Sequence, residues 1–294
     1  MKIGFIGCVH SSQVALETLL KMEGIEVVAV ITKERSPFNS DHIDLAPICK
    51  RFGIPFHYEN SQSKTDSLEF MEGFYPDVIY CFGWSYLLSN DFLLLPPLGI
   101  IGFHPAKLPQ NRGRHPIIWA LALGLSATAS TFFKLSEGAD TGAILSQTDI
   151  LISHDDDAAS LYNKIIVVMK TQIIDFTGRL TNGEADYIEQ DHKLSNSWRK
   201  RSRKDGLIDW RMRAEDIFNL IRALAKPYPG AEFEYHDSLI PIWKSSICDE
   251  VFPRNVEPGR VLEVSGKNIL VKCGSDTAIW LFDIEVGMAA GEYL

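Results

Sequence analysis

Short apolar segments alternate with helical segments over the first 135 residues, and this alternation constrains the fold more than any other feature of the chain. A strand that is followed by a helix and then by another strand normally lies parallel to its neighbour. The alternation therefore predicts an α/β fold, with a doubly wound, mainly parallel sheet and helices on both faces. The predicted strands are 2–7, 27–31, 54–57, 78–82, 100–104 and 128–135, and the predicted helices are 11–20, 45–52, 64–72 and one that begins at Pro116.

The pattern changes after residue 152. Three aspartates, 155–157, mark the start of a long helix, and acidic residues favour that end of a helix. From Glu232 onward, short strands separated by Gly, Pro and Asn are typical of a small β-barrel. We therefore predict an N-terminal domain over 1–195, a linker over 196–204, and a C-terminal domain over 205–294 that has a helix followed by an OB-like barrel. The apolar stripe of the long helix is Ile165, Met169, Ile173, Phe176 and Leu180.

Charge and cysteine content weigh against several classes of function. The 294-residue chain carries a formal net charge of −9, which argues against a nucleic-acid partner because phosphate binding depends on a basic field. Its concentrated basic residues lie within 199–204. Five dispersed cysteines without a C-x-x-C pair are typical of reduced thiols in a cytoplasmic protein and predict no metal site. We expect no membrane partner, since the chain begins with a strand and no apolar run approaches about 18 residues.

The stretch from Leu98 to Gly142 carries the candidate chemistry. A buried-strand run places His104 at its end, and a proline-containing loop with several cationic residues follows. Asp140 lies in a polar turn after the next predicted strand. Because open α/β sheets build their sites outside strand ends, we expect His104 and Asp140 to meet there.

The first helix offers a second candidate site at its N-terminus. Ser11 or Ser12 is expected to cap this helix. A helix N-terminus next to a strand end is also a ready anion site, so both serines are candidate substrate-binding residues.

The same stretch resembles the formyltransferases that use 10-formyltetrahydrofolate. The residues that match in order and spacing are His104-Pro105, Leu108-Pro109, Arg112-Gly113 and Asp140-Thr141-Gly142. The pattern D-G-x-I-D-W at 205–210 and the pattern P-x-P-G-A at 227–231 resemble the start of the family's C-terminal domain. One position departs from the family, because Gly102 stands where the catalytic Asn is expected.

The resemblance implies a catalytic apparatus and a formyl donor. His104 would act as the general base and Asp140 would support it, with 10-formyltetrahydrofolate as the donor and no metal. Asn111 or main-chain N–H groups would replace the missing Asn. The residues implied for folate binding are Ser85, Tyr86, Leu87, Leu88, Glu137, Gly138 and Asp140.

Within the family, the chain most resembles the nucleotide-sugar N-formyltransferases, for example the enzyme of a pseudaminic-acid-type pathway. The loop Phe38-Asn39-Ser40-Asp41 and the acidic balance favour this interpretation. It implies that the acceptor is a UDP- or dTDP-linked 4-amino-4,6-dideoxy sugar, used in polysaccharide biosynthesis. Arg112 and Arg114 would bind the diphosphate, since a planar guanidinium pairs well with phosphate oxygens.

Three alternatives stay open from the sequence. The chain could be a methionyl-tRNA formyltransferase, a 10-formyltetrahydrofolate hydrolase with water as the acceptor, or a non-catalytic folate- or nucleotide-binding protein. The oligomeric state is also open, with a homodimer as one option.

Overall fold

The computed structural model describes residues 1–36, 40–59 and 64–294, so Phe38 and Asn39 of the predicted sugar-nucleotide loop lie outside the described residues. The helices are α1 (His10–Leu19), α2 (Ala46–Phe52), α3 (Lys64–Glu72), α4 (Asn90–Leu94), α5 (Pro116–Ala122), α6 (Ala158–Asn182) and α7 (Ala214–Ala223). The strands are β1 (Lys2–Ile6), β2 (Glu26–Thr32), β3 (Phe56–Tyr58), β4 (Val78–Cys81), β5 (Ile100–His104), β6 (Arg112–Gly113), β7 (Ala127–Lys134), β8 (Ile144–Leu151), β9 (Ser197–Trp198), β10 (Ala231–Tyr235), β11 (Ser238–Ile242), β12 (Ser245–Cys248), β13 (Val261–Ser265), β14 (Asn268–Lys272) and β15 (Ala278–Leu281).

These residues form two compact units. The first unit contains Met1–Gly113, Ala129–Ile150 and Asn163–Ser197. The second contains Arg114–Thr128, Leu151–Tyr162 and Trp198–Leu294. Each unit is therefore assembled from segments that are separated along the chain.

A seven-stranded sheet, counted over the described residues, organises the first unit. Its strand order is β3-β2-β1-β4-β5-β7-β8. The pairs β1–β2, β2–β3, β1–β4 and β4–β5 are parallel, whereas β5 and β7 are antiparallel. The prediction of a mainly parallel sheet is confirmed, and β7 runs against it beside the strand that ends in His104.

Aromatic and aliphatic side chains fill the core beneath this sheet. Phe5, Tyr80 and Phe132 are fully buried, and their rings pack edge-on or tilted against neighbouring aromatic rings. Four residues of the predicted α6 stripe, 169, 173, 176 and 180, are buried in this core, with Phe176 contacting Tyr80 and Phe132. The fifth, Ile165, is also fully buried. The hydroxyl of Tyr80 lies 2.9 Å from that of Thr177, which satisfies both buried groups.

The aspartates at the start of α6 have the capping role that the sequence predicts. Asp156 accepts a hydrogen bond from the Ser153 amide at 2.7 Å, and Asp157 accepts one from the Ser160 amide at 2.8 Å. Asp156 also receives the Ser160 hydroxyl at 2.9 Å. Side-chain oxygens thus satisfy backbone donors that have no partner within the helix.

The second unit is built on α5, α7 and antiparallel strands. Helix α7 places Ile217, Leu220 and Ile221 in the interior. Strands β10 and β11 form a hairpin, and β12, β15, β14 and β13 form a four-stranded antiparallel sheet. Short strands thus follow residue 231, as the sequence predicts from Glu232. In the described part of the chain, no helix combines the length and apolar character that crossing a bilayer requires.

Candidate active site

His104 ends β5, and one nitrogen of its ring is held by a hydrogen bond. The side chain is 5% exposed. Nε2 lies 2.7 Å from the carbonyl oxygen of Asn111, and Nδ1 lies 3.7 Å from Oδ2 of Asp140. A carbonyl oxygen can only accept, so Nε2 carries the ring proton in the neutral imidazole. The lone pair of the neutral ring is therefore on Nδ1, which makes no hydrogen bond to Asp140 at this distance.

Asp140 is positioned by its main chain as well as by its side chain. Its φ is +56°, in the left-handed region that only a few residue types adopt readily. Oδ2, the oxygen that faces His104, also accepts a hydrogen bond from the Gly113 amide at 2.8 Å. The turn is closed locally, since the Thr141 hydroxyl donates to the Gly138 carbonyl at 3.0 Å. The carboxylate therefore has one fixed orientation toward the imidazole.

The loop between His104 and Gly113 is braced from β7 and β8. The Thr131 hydroxyl donates to the Ala106 carbonyl at 2.6 Å, and the Gln147 amide donates to the Leu108 carbonyl at 2.9 Å. Asn111 has a φ of +61°, and its amide donates to the side-chain oxygen of Asn196 at 2.8 Å. The carbonyl that fixes the His104 tautomer is thus itself held in place.

Leu135 fills the space beside Gly102. A Cβ added at Gly102 would lie 2.4 Å from Cδ2 of Leu135 and 3.2 Å from Cζ of Phe133. These distances are too short for ordinary van der Waals contact. A side chain at position 102, including the Asn expected there, therefore requires Leu135 to move.

The main-chain amides of residues 111–114 already donate to other partners. The amides of Asn111 and Arg112 donate to Asn196, the amide of Gly113 donates to Asp140, and that of Arg114 donates to the carbonyl of Trp198. The side-chain amide of Asn111, in contrast, has no hydrogen-bond partner among the residues that the structure describes. The side chain of Asn111 is therefore a candidate donor for a bound oxyanion.

The segment predicted to bind folate lines a cavity in the first unit. The cavity measures about 140 Å³, and its walls are Glu59, Trp84, Tyr86, Leu87, Leu88, Ser89 and Phe92. Nζ of Lys33 lies 4.6 Å from the ring centre of Trp84 and 4.1 Å from that of Tyr86. Aromatic and aliphatic walls with a few polar groups suit a flat heteroaromatic ring, so the residues present fit the pterin ring of a folate.

The second segment that the resemblance implies for folate binding is joined by a hydrogen bond to the helix that follows the first. The side-chain amide of Asn90, at the start of α4, donates to Glu137 at 3.2 Å. Glu137 and Gly138 belong to the turn that carries Asp140. The structure thus joins the loop that contains Ser85 and Tyr86 to the turn that contains the candidate catalytic aspartate.

Two assignments from the sequence need correction. Ser11 and Ser12 lie inside α1 and are buried, and the Ser12 hydroxyl donates to the Phe82 carbonyl at 2.6 Å while accepting from the Val9 amide at 3.3 Å. These serines thus support the fold and are not presented to a substrate. Arg112 is only 8% exposed, and its guanidinium contacts Gln190 and His192 at 2.6 and 2.9 Å. Arg112 therefore braces the loop and is not available to a diphosphate.

Arg114 belongs to a basic and aromatic group in the second unit, which we call the Trp119 cluster: Arg114, His115, Trp119, Trp198, Arg199, Lys200 and Arg201. The rings of Trp119 and Trp198 are stacked, with centres 6.5 Å apart. The guanidinium of Arg201 lies 4.6 Å from the Trp119 ring centre, and that of Arg199 lies 5.4 Å away. Both distances are typical of cation–π contacts.

The Trp119 cluster has an excess of positive charge. Asp205 neutralises Arg199 through a two-pronged ion pair, and this pairing holds the pKa of Asp205 well below its ordinary value. Burial lowers the pKa of His115, and the positive charges of Arg114, Arg201 and Lys200 lower that pKa further. The cluster therefore suits a multiply charged anion.

The sequence does not predict the residues that contact the site but lie far from it along the chain. Gln190 contacts both Arg112 and the main chain of Asp140, and Asn196 accepts the main-chain amide of Asn111. Nothing in the local sequence marks either residue, because their partners lie 50 or more residues away along the chain. The stacking of Trp119 on Trp198 is equally long-range.

The geometry around His104 suits proton transfer during acyl transfer. A neutral imidazole with its lone pair on Nδ1 is chemically able to accept a proton, and a carboxylate at this distance is able to stabilise an imidazolium.

Two family models match the chain. The model for the formyl transferase domain covers residues 1–176, and the model for the formyl transferase C-terminal domain covers residues 200–291. Among curated proteins, the methionyl-tRNA formyltransferase of Ruminiclostridium cellulolyticum is 32% identical over 277 residues, which cover 93% of this chain and 88% of that protein. The bifunctional polymyxin resistance protein ArnA of Wigglesworthia glossinidia brevipalpis is 32% identical over 275 residues, and the match spans 92% of this chain but 40% of that longer protein.

Solved structures share the fold at low sequence identity. WlaRD, a sugar 3N-formyltransferase solved in the presence of dTDP and 5-N-formyl-THF, superposes with a TM-score of 0.73 at 16% identity, over 98% of this chain and 99% of that one. An N-formyltransferase of Helicobacter canadensis, solved with folinic acid and dTDP-3-aminofucose, gives the same TM-score of 0.73 at 16% identity, over 96% of this chain and 98% of that one. On the strength of the family models and the curated relatives, the chain belongs to the formyltransferase family, whose members are enzymes that transfer one-carbon groups.

Proposed function

We propose that the chain is an N-formyltransferase that moves a formyl group from 10-formyltetrahydrofolate to the amine of a nucleotide-linked amino sugar. The observation that carries the proposal is the arrangement of His104, with Nε2 donating to the Asn111 carbonyl and Nδ1 facing Asp140. This leaves one nitrogen of a buried imidazole free to take a proton from an acceptor amine.

The chain's own residues perform the proton chemistry. His104 accepts at Nδ1 the proton that the amine loses on attack, and the charge of Asp140 stabilises the resulting imidazolium. The side-chain amide of Asn111 donates to the carbonyl oxygen as it becomes an oxyanion. His104 then returns the proton to the leaving nitrogen. When bound, 10-formyltetrahydrofolate supplies the formyl carbon and that leaving nitrogen.

The residues proposed to hold the folate are those around the 140 Å³ cavity and the adjoining turn. Tyr86, Leu87 and Leu88 provide its walls, and Ser85 provides main-chain groups beside them. Glu137 and Gly138 belong to the turn that the Asn90 side chain joins to this segment. The proposal thus uses one continuous region of the first unit.

The Trp119 cluster supports a nucleotide diphosphate as the part of the acceptor that is recognised. Arg114, Lys200 and Arg201 concentrate positive charge in a chain whose net charge is −9. Guanidinium groups match diphosphate oxygens, and a nucleobase can stack on neighbouring aromatic rings. That several solved structures with this fold are sugar N-formyltransferases favours the same acceptor class.

Methionyl-tRNA formyltransferase is the second candidate, because a curated relative with that activity is 32% identical over most of the chain. The acidic net charge weighs against it, since binding of tRNA depends on a field of clustered cations. Charged initiator tRNA is therefore included as an acceptor in the test that follows.

Incubation with 10-formyltetrahydrofolate and a panel of acceptors tests the proposal. We expect a mass gain of one CO, about 28 Da, on a UDP- or dTDP-linked amino sugar and none on charged initiator tRNA. Formylation of the tRNA alone would reverse the assignment. Release of formate without an acceptor amine would indicate a hydrolase, and binding without turnover a non-catalytic protein.

Arg201→Gln tests the acceptor's anchoring group. It should raise KM for the nucleotide sugar about tenfold or more with a small change in kcat, because ground-state binding is lost. Arg211→Gln is the matched control, since Arg211 is exposed and paired with Asp209 outside the Trp119 cluster. Equal KM values in the two variants would exclude the cluster as the diphosphate site.

A further inference from the structure

Gln190 uses its whole hydrogen-bonding capacity beside the turn that carries Asp140. Its side chain is 6% exposed. Nε2 donates to the carbonyls of Asp140 and Gly142 at 2.9 and 2.7 Å. Oε1 accepts from Nε and from one terminal nitrogen of Arg112, at 3.2 and 2.6 Å. An amide with two donors and two acceptor sites is thus fully satisfied in the interior.

These contacts close a ring around Asp140. Arg112 donates to Gln190, Gln190 donates to the main chain of Asp140, and the carboxylate of Asp140 accepts from Gly113, the residue after Arg112. Three hydrogen bonds and the peptide bond between Arg112 and Gly113 connect the residues of this ring. Asp140 therefore cannot turn without breaking a partly buried hydrogen bond.

The turn needs such a clamp, because its backbone leaves the common conformations. Asp140 has a φ of +56°, and a Cβ on Gly142 would lie 1.8 Å from the carbonyl oxygen of Lys134. Gln190 holds the two carbonyls that flank Thr141, one on each side of this crowded point. Residues in sparsely populated backbone regions persist where the surroundings over-determine them.

We propose that Gln190 is a positioning residue for catalysis, which holds the Asp140 carboxylate in register with Nδ1 of His104. The inference rests on the proposed function, because it assigns Gln190 a share in the His104–Asp140 proton chemistry. A neutral amide suits this position, because a carboxylate in its place would face two carbonyl oxygens with no proton to offer.

The test compares Gln190→Glu with Gln172→Met. Gln190→Glu keeps the acceptor for Arg112 and removes both donors to the turn. Gln172 is a matched control, since it is also 6% exposed in the first unit, and its amide bridges the Ser130 carbonyl and the Ser146 hydroxyl at 3.1 and 2.9 Å. It contacts none of the residues assigned to the reaction.

Kinetics with the acceptor found in the panel give the first readout. We expect Gln190→Glu to lower kcat about 10- to 100-fold while KM for donor and acceptor changes less than about threefold, because catalytic geometry and not binding is disturbed. Combined with Asp140→Asn, it should slow the enzyme little beyond Asp140→Asn alone, since both changes act on one interaction. The proposal would be overturned if the kcat losses of Gln190→Glu and Asp140→Asn multiplied in the double variant. It would also be overturned if Gln172→Met lowered kcat as much as Gln190→Glu does.

Hydrogen exchange of the Gly113 amide gives a readout that does not depend on the acceptor. This N–H donates to Asp140, so a displaced carboxylate should speed its exchange about tenfold or more in Gln190→Glu and leave it unchanged in Gln172→Met. Unchanged exchange in Gln190→Glu would overturn the clamp. Absence of any formyl transfer by the wild-type chain would count against the proposed function, and the Gly113 exchange rate would still decide whether Gln190 holds Asp140.

Discussion

Nε2 of His104 donates to the carbonyl oxygen of Asn111 at 2.7 Å, and this hydrogen bond determines which nitrogen of the ring can act as a base. Since the carbonyl can only accept, the free lone pair of the neutral ring is on Nδ1, which faces Asp140. A residue seven positions along the chain thus selects the tautomer through its main chain, whatever its side chain does.

His104→Asn should lower kcat by about 10²–10⁴-fold, because it removes general-base assistance. Binding of the nucleotide sugar, measured by calorimetry, should be retained. His154→Asn is the control, since that histidine is exposed in the second unit and stacks on Phe218. A wild-type kcat in His104→Asn would mean that the segment around His104 has a structural role and takes no part in proton transfer.

Asp140→Asn should also lower kcat, by about 10²-fold or more, because the imidazolium loses its counter-charge. The Asn oxygen can still accept from the Gly113 amide, so the fold should persist. Asp149→Asn provides the comparison, because Asp149 forms an exposed ion pair with Lys107. Steady-state kinetics of both variants, with circular dichroism to verify folding, check this prediction. Similar kcat in both would remove Asp140 from the mechanism.

Asn111→Gly should lower kcat about 10²–10³-fold with little change in KM, because it removes the proposed oxyanion donor. Glycine is the appropriate replacement, since Asn111 has a φ of +61° and alanine would add backbone strain. Gln110→Ala, at the neighbouring loop position, is the control. If Asn111→Gly leaves kcat unchanged, a donor other than the Asn111 side chain binds the oxyanion.

Gly102→Ala should destabilise the protein by about 1–3 kcal/mol, because the new Cβ would lie 2.4 Å from Cδ2 of Leu135. Adding Leu135→Ala should recover part of the loss, because it removes the atom that collides. Urea unfolding of the two variants measures the difference. Equal stability of Gly102→Ala and wild type would show that Leu135 moves aside at no cost.

His115 should make stability depend on pH. Its pKa in the folded chain lies below the ordinary 6.5, because it is partly buried and surrounded by cations. The unfolded chain therefore takes up this proton at a higher pH than the folded chain does, so stability falls as the pH drops below about 6.5 toward the folded pKa. Above a pH of about 6.5 the ring is neutral in both the folded and the unfolded chain, so His115 no longer lowers the free energy of unfolding.

The His115→Asn variant isolates this contribution, and Asn tolerates the φ of +56° at this position. Urea midpoints measured at about pH 7.5 and about pH 5.5 should differ less in the variant than in wild type. His154→Asn should leave the wild-type difference unchanged. An unaltered pH dependence in His115→Asn would assign the effect to other groups.

Much of the fold was predictable because its determinants are local. Alternating apolar runs and Gly or Pro breaks mark the strands of the first unit, and Pro116 and Gly53 lie at a helix start and a helix end as expected. Helix α4 was not predicted, because it has five residues in an apolar segment and depends on Ser89, whose hydroxyl accepts from the Phe92 amide. A helix this short contains too few residues for a periodic spacing of apolar side chains to be detected in the sequence.

Sequence alone determined that His104 ends a strand, that Asp140 lies in a turn beyond the next strand, and that the chain carries the formyltransferase motifs. These properties depend on neighbouring residues. Only the tertiary structure decided that Arg112 is buried against Gln190, 78 residues away, and that Leu135 occupies the space beside Gly102. The sequence does not show whether the charge of an arginine faces water or a buried amide. That environment is made by segments that meet only when the chain folds.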